Sequence, residues 1–285
     1  TLTAQDEVGV LGSGSDLDLE FAAGSSVNVS TTGTGAIDLD GLGALTLSDV
    51  DTVNGAITAS SAGALTVTDV ASGTNGNIVL STSSGDITGL ATVNAGSGNV
   101  TLNSAGAIVD DGSSGTVITG GVLTADAAGA ITIDSTVTSA NISTSAAGAV
   151  DLDESDAITL TDVDTNDGSI TVDAGGLITA TDVVASGGSG DSVTLSTTTG
   201  GAVATLVTGA DAVSITANAG DITIGSVTAT LGTLGVTATA GSINDAADDN
   251  TADFTAGGLI TLTAQDEVGV LGSGSDLDLE FAAGS

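Results

Sequence analysis

A chain of 285 residues with 36 Asp and Glu but no Lys, Arg or His has a formal net charge of −36. This charge excludes electrostatic binding of nucleic acid and of anionic membrane surfaces, and it predicts an affinity for cations. Because Cys, His, Lys, Tyr and Trp are all missing, disulfides, thiolate or imidazole catalysis and aromatic stacking platforms are excluded too. We therefore expect a protein that is not an enzyme. Its hydrophobic fraction of 40% and its lack of Pro indicate a folded chain rather than a disordered acidic one.

The predicted elements are short strands that begin after a glycine. Stretches such as "GAIDL", "GALTL" and "GNIVL" alternate apolar residues with Thr, Ser or Asp, which is the period-two pattern of a half-buried strand. Each opens on a turn residue. In chain order the strands follow Gly35, Gly43, Gly63, Gly76, Gly98, Gly129, Gly148, Gly168 and Gly220.

The spacing of these strands predicts a solenoid. One series of inward residues, spaced by 20, 21 and 22, is Ile37, Ile57, Ile78 and Val100. A second series interleaves with it at the same period: Leu45, Leu65, Ile87 and Ile108. A β-sandwich also has short strands, but it would not keep two series in phase over many turns. We expect an all-β, right-handed parallel β-helix with two strands and about 20 residues per coil, and about 13–14 coils.

The sequence also repeats at two spacings longer than one coil. "LTLSDVDTVNGAIT" from Leu45 matches "ITLTDVDTNDGSIT" from Ile158 at an offset of 113. Residues 261–285 are identical to residues 1–25, so the sequence predicts one repeat unit over 1–260 and the start of the next identical unit over 261–285. The expected partners are copies of the same unit, joined head to tail.

The alternating strands resemble the repeat region of filamentous haemagglutinins and related giant surface adhesins. The stretch "GALTLSDVDTVNGAITASSAGALTV", from Gly43 to Val67, carries the likeness best. The resemblance implies a secreted, right-handed parallel β-helix that serves as a stalk or adhesive fibre on the cell surface. No apolar run approaches the length of a membrane span, so we expect no membrane insertion by this segment.

Acidic clusters are candidate Ca²⁺ ligands, since Ca²⁺ takes six to eight oxygen ligands. "DVDTNDG" from Asp162 resembles an acidic calcium loop, although its Gly stands one position later than in an EF-hand. Solvated turn acids are the alternative explanation. The candidate ligands are Asp162, Asp164, Asn166 and Asp167; the sister set Asp49, Asp51 and Asn54; and Asp245, Asp248 and Asp249.

Threonine pairs and glycosylation sequons complete the candidate features. "TLT" at Thr1, Thr159 and Thr261 and "TVT" at Thr66 and Thr136 place paired Thr outward, as ice- or sugar-binding ranks do, but Thr is also a good strand former. Asn28, Asn99 and Asn141 lie in N-x-S/T sequons.

The sequence favours a structural role in an extracellular β-solenoid filament. The alternative is a calcium-dependent adhesin that binds glycans, ice, mineral or other cells through its Thr and Asp faces. A β-helical polysaccharide hydrolase or lyase fits least, because such enzymes need a groove with clustered catalytic groups.

Overall fold

A computed structural model describes residues 1–9, 17–20, 25–113, 115, 117–247, 251–269 and 277–281. These residues contain no helix, and they form 29 strands whose stacked coils make a β-solenoid of about 12 turns. The chain divides into two units, Thr1–Thr138 and Ser139–Ser285, which are described separately below. The predicted all-β solenoid is confirmed, and its right-handed sense stays a prediction.

The strands are short, with most spanning three to five residues. In the first unit they are β1 (Leu2–Ala4), β2 (Leu17–Leu19), β3 (Val27–Thr31), β4 (Ile37–Gly41), β5 (Leu45–Asp51), β6 (Ile57–Ser61), β7 (Leu65–Val67), β8 (Asp69–Ala71), β9 (Ile78–Thr82), β10 (Ile87–Leu90), β11 (Thr92–Asn94), β12 (Val100–Ser104), β13 (Ile108–Asp110) and β14 (Ile118–Ala127). β15 (Ile131–Ala147) includes the boundary between the units.

The second unit continues with the same kind of element. Its strands are β16 (Val150–Glu154), β17 (Ile158–Asp167), β18 (Ile170–Ala174), β19 (Ile178–Ala180), β20 (Val183–Ala185), β21 (Val193–Thr197), β22 (Ala202–Gly209), β23 (Val213–Ala217), β24 (Ile222–Ala229), β25 (Leu234–Ala238), β26 (Ile243–Asp245), β27 (Phe254–Ala256), β28 (Ile260–Ala264) and β29 (Leu279–Phe281).

Two predicted columns of apolar side chains form the core of the first unit. Parallel pairing places Ile57 between Ile37 and Ile78 and continues to Val100, and we name this the first face. Leu45, Leu65, Ile87 and Ile108 pair in the same way on the second face. All eight side chains are essentially inaccessible to water. Both series read from the sequence are therefore confirmed.

A third face was missed by the sequence analysis. Val29, Val50, Val70 and Val93 form another buried parallel column, so each coil has three strands rather than the two that we expected. β8 and β11 begin only two residues after β7 and β10 of the second face end, and each has only three residues. Such short strands leave almost no alternation to detect.

The second unit repeats the three faces with equivalent residues. At the offset of 113, Ile37, Leu45 and Val50 correspond to Val150, Ile158 and Val163. The first face runs from Val150 through Ile170, Val193, Val213 and Leu234 to Ile260. The second includes Ile158, Ile178, Ala202, Ile222 and Ile243, and the third includes Val163, Val183, Val207, Val227 and Phe254.

The coils are longer on average than the sequence suggested. The step between paired residues is 20 from Ile37 to Ile57 but 27 from Val227 to Phe254. The extra residues lie between the strands, where insertions leave the stacked core intact. The structure therefore has about 12 turns instead of the expected 13–14.

The corner that leads into the first face combines a glycine column with buried hydroxyls. A Cβ added at Gly55 would lie 2.0 Å from the carbonyl oxygen of Gly35, and one at Gly76 would lie 2.1 Å from that of Gly55. The buried Thr52 hydroxyl donates a hydrogen bond of 2.8 Å to the Gly55 carbonyl. Ser72 makes the same bond to Gly76. These inward hydroxyls satisfy corner carbonyls that the strand ladders do not reach.

Shortening a side chain within a buried column should lower the free energy of unfolding far more than shortening a side chain that points outward. We expect Ile57→Ala to lower the free energy of unfolding by about 3 kcal/mol, because a fully buried side chain between two coils leaves a cavity. Thr58→Ala, at the adjacent outward position, should cost less than about 1 kcal/mol. Urea unfolding of both variants measures the difference, and equal losses would contradict the stacked core.

Candidate functional site

Three carboxylates meet on the outer surface of the third face in the first unit. Asp49 and Asp51 flank the inward Val50 on β5, so both side chains point outward. Asp69 precedes Val70, which pairs with Val50, and therefore lies one coil away from Asp49. On the opposite side, Asn28 pairs with Asp49 and donates its side-chain amide to the Asp49 carboxylate. The solenoid thus gathers carboxylates that are 20 residues apart in sequence.

Burial and neighbouring charges make the Asp51 and Asp69 carboxyl groups harder to ionise. Partial burial, a hydrogen bond to Asp49 and the charges of Asp49 and Asp69 raise the pKa of Asp51 to about 6. Burial and the charge of Asp49 also raise the pKa of Asp69. No cationic side chain offsets these like charges, since Lys, Arg and His are absent. The cluster is therefore suited to gain a proton or to attract a cation.

The same cluster recurs in the second unit. At the offset of 113, Asn28, Asp49, Asp51 and Asp69 correspond to Asn141, Asp162, Asp164 and Asp182. Asn141 pairs with Asp162, as Asn28 does with Asp49.

Asp164 in the second cluster is affected in the same way as its counterpart Asp51. Partial burial, the charges of Asp162 and Asp182 and a hydrogen bond to Asp162 raise the pKa of Asp164 to about 6. Asp182 Oδ1 is buried and has no hydrogen-bond partner among the residues that the structure describes. An unsatisfied carboxylate oxygen beside two other carboxylates is a natural position for a cation.

A third acidic group lies near the repeated segment of the second unit. Asp253 is 4% exposed, and its carboxylate accepts a 2.8 Å hydrogen bond from the Asp278 backbone N–H. Burial and the charges of Asp245 and Asp278 raise the pKa of Asp253 to about 6, although the hydrogen bond from Asp278 opposes the shift. Of the residues predicted here, Asp245 takes part, whereas Asp248 and Asp249 lie outside the described residues.

The calcium-like stretch does not form a loop. β17 extends through Asp167, with Val163 and Thr165 buried and Asn166 and Asp167 exposed beyond the cluster. In the sister stretch, Asn54 Oδ1 accepts hydrogen bonds from the Thr74 hydroxyl at 2.7 Å and the Asn75 N–H at 3.0 Å. Asn54 therefore links two coils.

No ready-made metal site is present in the described ranges. In that part of the chain, no three or more Asp or Glu residues form a group that could hold a metal ion. Ca²⁺ binding thus stays a prediction, and it would require the carboxylates to rearrange around the ion or to share it between coils.

The outward threonines form interrupted ranks. Thr46, Thr66 and Thr88 pair along the second face. On the first face, Val79 lies between the paired positions of Thr58 and Thr101. A groove of about 300 Å³ beside this face is lined by Asp40, Ser60, Ser81 and their neighbours. The Ser60 hydroxyl donates to the Asp40 carboxylate, and Leu42 and Ala62 add apolar surface to the groove.

The described residues define the class of fold, a parallel β-solenoid of about 12 turns that is consistent with a β-helix repeat region. Among them there is no helix with the length and hydrophobicity needed to cross a bilayer. No protein-family model, curated protein or solved structure matches this chain.

Proposed function

We propose that this chain is a structural segment of a long extracellular β-solenoid filament. In this proposal, repeats of 260 residues follow one another head to tail. The strand ladders that join coils within a repeat also join one repeat to the next. The observation that carries the proposal is the exact repetition of residues 1–25 at 261–285 in a chain whose described residues form stacked coils. The net charge of −36 would keep such a filament hydrated and apart from its neighbours.

Chains with one, two and three repeats test this function. The 285-residue chain forms about 12 turns, so each added repeat of 260 residues should form about 11 coils and lengthen a rod of constant width by about 53 Å, at roughly 4.8 Å per coil. Electron microscopy and solution scattering measure length and width. Particles that grow equally in all directions, or that separate into independent beads, would contradict the filament.

The duplicated carboxylate cluster supports a second candidate function, a calcium-dependent adhesin. Asp49, Asp51 and Asp69 have full counterparts in the second unit, and Asp182 has an unsatisfied buried oxygen. An adhesin of this kind would hold glycans or mineral surfaces through shared Ca²⁺. A glycan array with and without Ca²⁺ separates it from a purely structural filament, which should bind no glycan in either condition.

Ca²⁺ should stabilise the fold whichever function holds. At pH 7.5 and low ionic strength, millimolar Ca²⁺ should raise the melting temperature by several degrees more than Na⁺ at equal ionic strength, because a divalent ion neutralises paired carboxylates. The double variant Asp51→Asn/Asp164→Asn should lose most of this difference. Equal responses to the two cations, or an unchanged response in the variant, would count against cation binding at these clusters.

A further inference from the structure

Two Asn-Gly pairs lie one coil apart at the corner that leads into the first face. Asn54 precedes Gly55, and Asn75 precedes Gly76, the next member of the glycine column. The fold requires both glycines, because a Cβ added at either would lie 2.0 or 2.1 Å from a carbonyl oxygen of the preceding coil. An asparagine placed before this column is therefore always followed by a glycine.

An asparagine before a glycine can react with its own backbone. Because glycine has no Cβ to obstruct the approach, its nitrogen can attack the preceding side chain. For Asn75, the Gly76 nitrogen would form a bond to Cγ, the Cγ–Nδ2 bond would break, and the proton from the Gly76 N–H would leave with Nδ2 as ammonia. Water then opens the resulting succinimide ring at either carbonyl, which yields aspartate or isoaspartate.

The next coil holds Asn54 away from this reaction. Its Oδ1 accepts hydrogen bonds from the Thr74 hydroxyl at 2.7 Å and the Asn75 N–H at 3.0 Å, and both donors belong to that coil. The Asn54 side chain is also half-buried. Its Cγ must turn toward the Gly55 nitrogen to react, and these two hydrogen bonds oppose that movement.

Asn75 lacks this restraint. Its side chain is exposed and makes no hydrogen bond to any residue that the structure describes. The equivalent residue one coil later is Ser97, whose N–H and hydroxyl both donate to the Thr74 carbonyl, at 2.9 and 3.3 Å, and so do not hold Asn75. Among the described residues, the Gly76 N–H has no hydrogen-bond acceptor either, so its nitrogen is available for attack.

We infer that Asn75 is a site of spontaneous deamidation in the folded protein and that the next coil protects Asn54 from the same reaction. The modification adds one carboxyl group to a chain whose net charge is already −36. Its isoaspartate product also lengthens the main chain by one carbon atom, at a corner where the backbones of adjacent coils are in close contact.

Incubation of the 285-residue protein at pH 8.5 and 37 °C in heavy-oxygen water tests this inference. Ring opening introduces one heavy oxygen atom, so peptic digestion at low pH and tandem mass spectrometry measure conversion at each asparagine. We expect Asn75 to convert about tenfold faster than Asn54, which must first break two hydrogen bonds. In concentrated urea, where the coils no longer stack, the two rates should become equal. A rate at Asn75 in the folded protein that is no higher than at Asn54 overturns the inference.

The variant Thr74→Val tests the protection itself. It removes one of the two donors to Asn54 Oδ1 and keeps nearly the same side-chain shape, so conversion of Asn54 should rise several-fold while that of Asn75 stays unchanged. Asn77 is the matched control, because its Oδ1 accepts a backbone N–H of the next coil at 2.9 Å and the residue after it is β-branched. It should not convert. An Asn54 rate that Thr74→Val leaves unchanged would refute protection by the next coil.

Discussion

Acidification from pH 7.5 to pH 4.5 should raise the melting temperature by about 5–10 °C. Asp51, Asp164 and Asp253 have folded-state pKa values of about 6, above the ordinary value of 3.8, so the folded protein binds protons more readily than the unfolded chain. Stability is therefore gained as the pH falls through 6, is fully present below 3.8 and is lost again as the pH rises. Discounted for solvent screening, each group contributes about 1 kcal/mol, and each kcal/mol is worth about 2–4 °C in a domain of this size.

Neutral variants isolate this effect. The triple variant Asp51→Asn/Asp164→Asn/Asp253→Asn should melt higher than the parent at pH 7.5 and should lose most of the pH dependence. Asp111→Asn is the matched control, because hydrogen bonds from Ser113 lower the pKa of Asp111 and favour its charged form. That control should not melt higher than the parent. A parent that melts lower at pH 4.5 than at pH 7.5 would contradict the role assigned to the clusters.

A single methyl group at Gly55 should nearly abolish folding of the first unit. The new Cβ of Gly55→Ala would lie 2.0 Å from the Gly35 oxygen and 2.5 Å from its carbonyl carbon, and both atoms belong to backbone that is fixed in the ladder. Relief requires separating two coils, so we expect a loss of about 3–4 kcal/mol or more.

The glycine at position 43 provides the control. Gly43 is exposed, and a Cβ added there meets no atom within 4 Å. Gly43→Ala should therefore leave the melting temperature nearly unchanged. Circular dichroism of both variants on heating makes the comparison, and a Gly55→Ala protein as stable as Gly43→Ala would refute close stacking at this corner.

The sequence predicted only the two faces whose strands have a recognisable pattern of residues. Glycine followed by alternating apolar residues marks both the first and the second face, so Ile57 and Leu65 could be placed correctly. The third face could not be found in this way, because Val70 and Val93 lie in short strands that begin after Thr68 and Ala91 instead of after a glycine turn. The inward hydroxyls of Thr52 and Ser72 were also missed, since threonine and serine at a corner look the same in sequence as those on the outer surface.

The carboxylate clusters were found only in part. Asp49 and Asp51 were recognised because only Val50 separates them in sequence, as in the alternating ligands of a calcium loop. Asp69 and Asp182 were overlooked, although each lies 20 residues after a predicted partner. In a solenoid, neighbours in space are one coil apart in sequence, so the coil period rather than a local motif is the signal that identifies a site.

The hydrogen bonds between coils also determine how the solenoid would respond to tension. They run along the stacking direction, so a force in that direction pulls each hydrogen bond along its own length. Such a force would detach the coils one after another instead of shearing all the bonds of a sheet at once. Each detached coil of 20–27 residues would release about 65–90 Å of chain at roughly 3.3 Å per residue, compared with the 4.8 Å that it occupied when stacked. A filament built in this way would extend gradually under force, because each detached coil would absorb mechanical work before the chain itself was fully stretched.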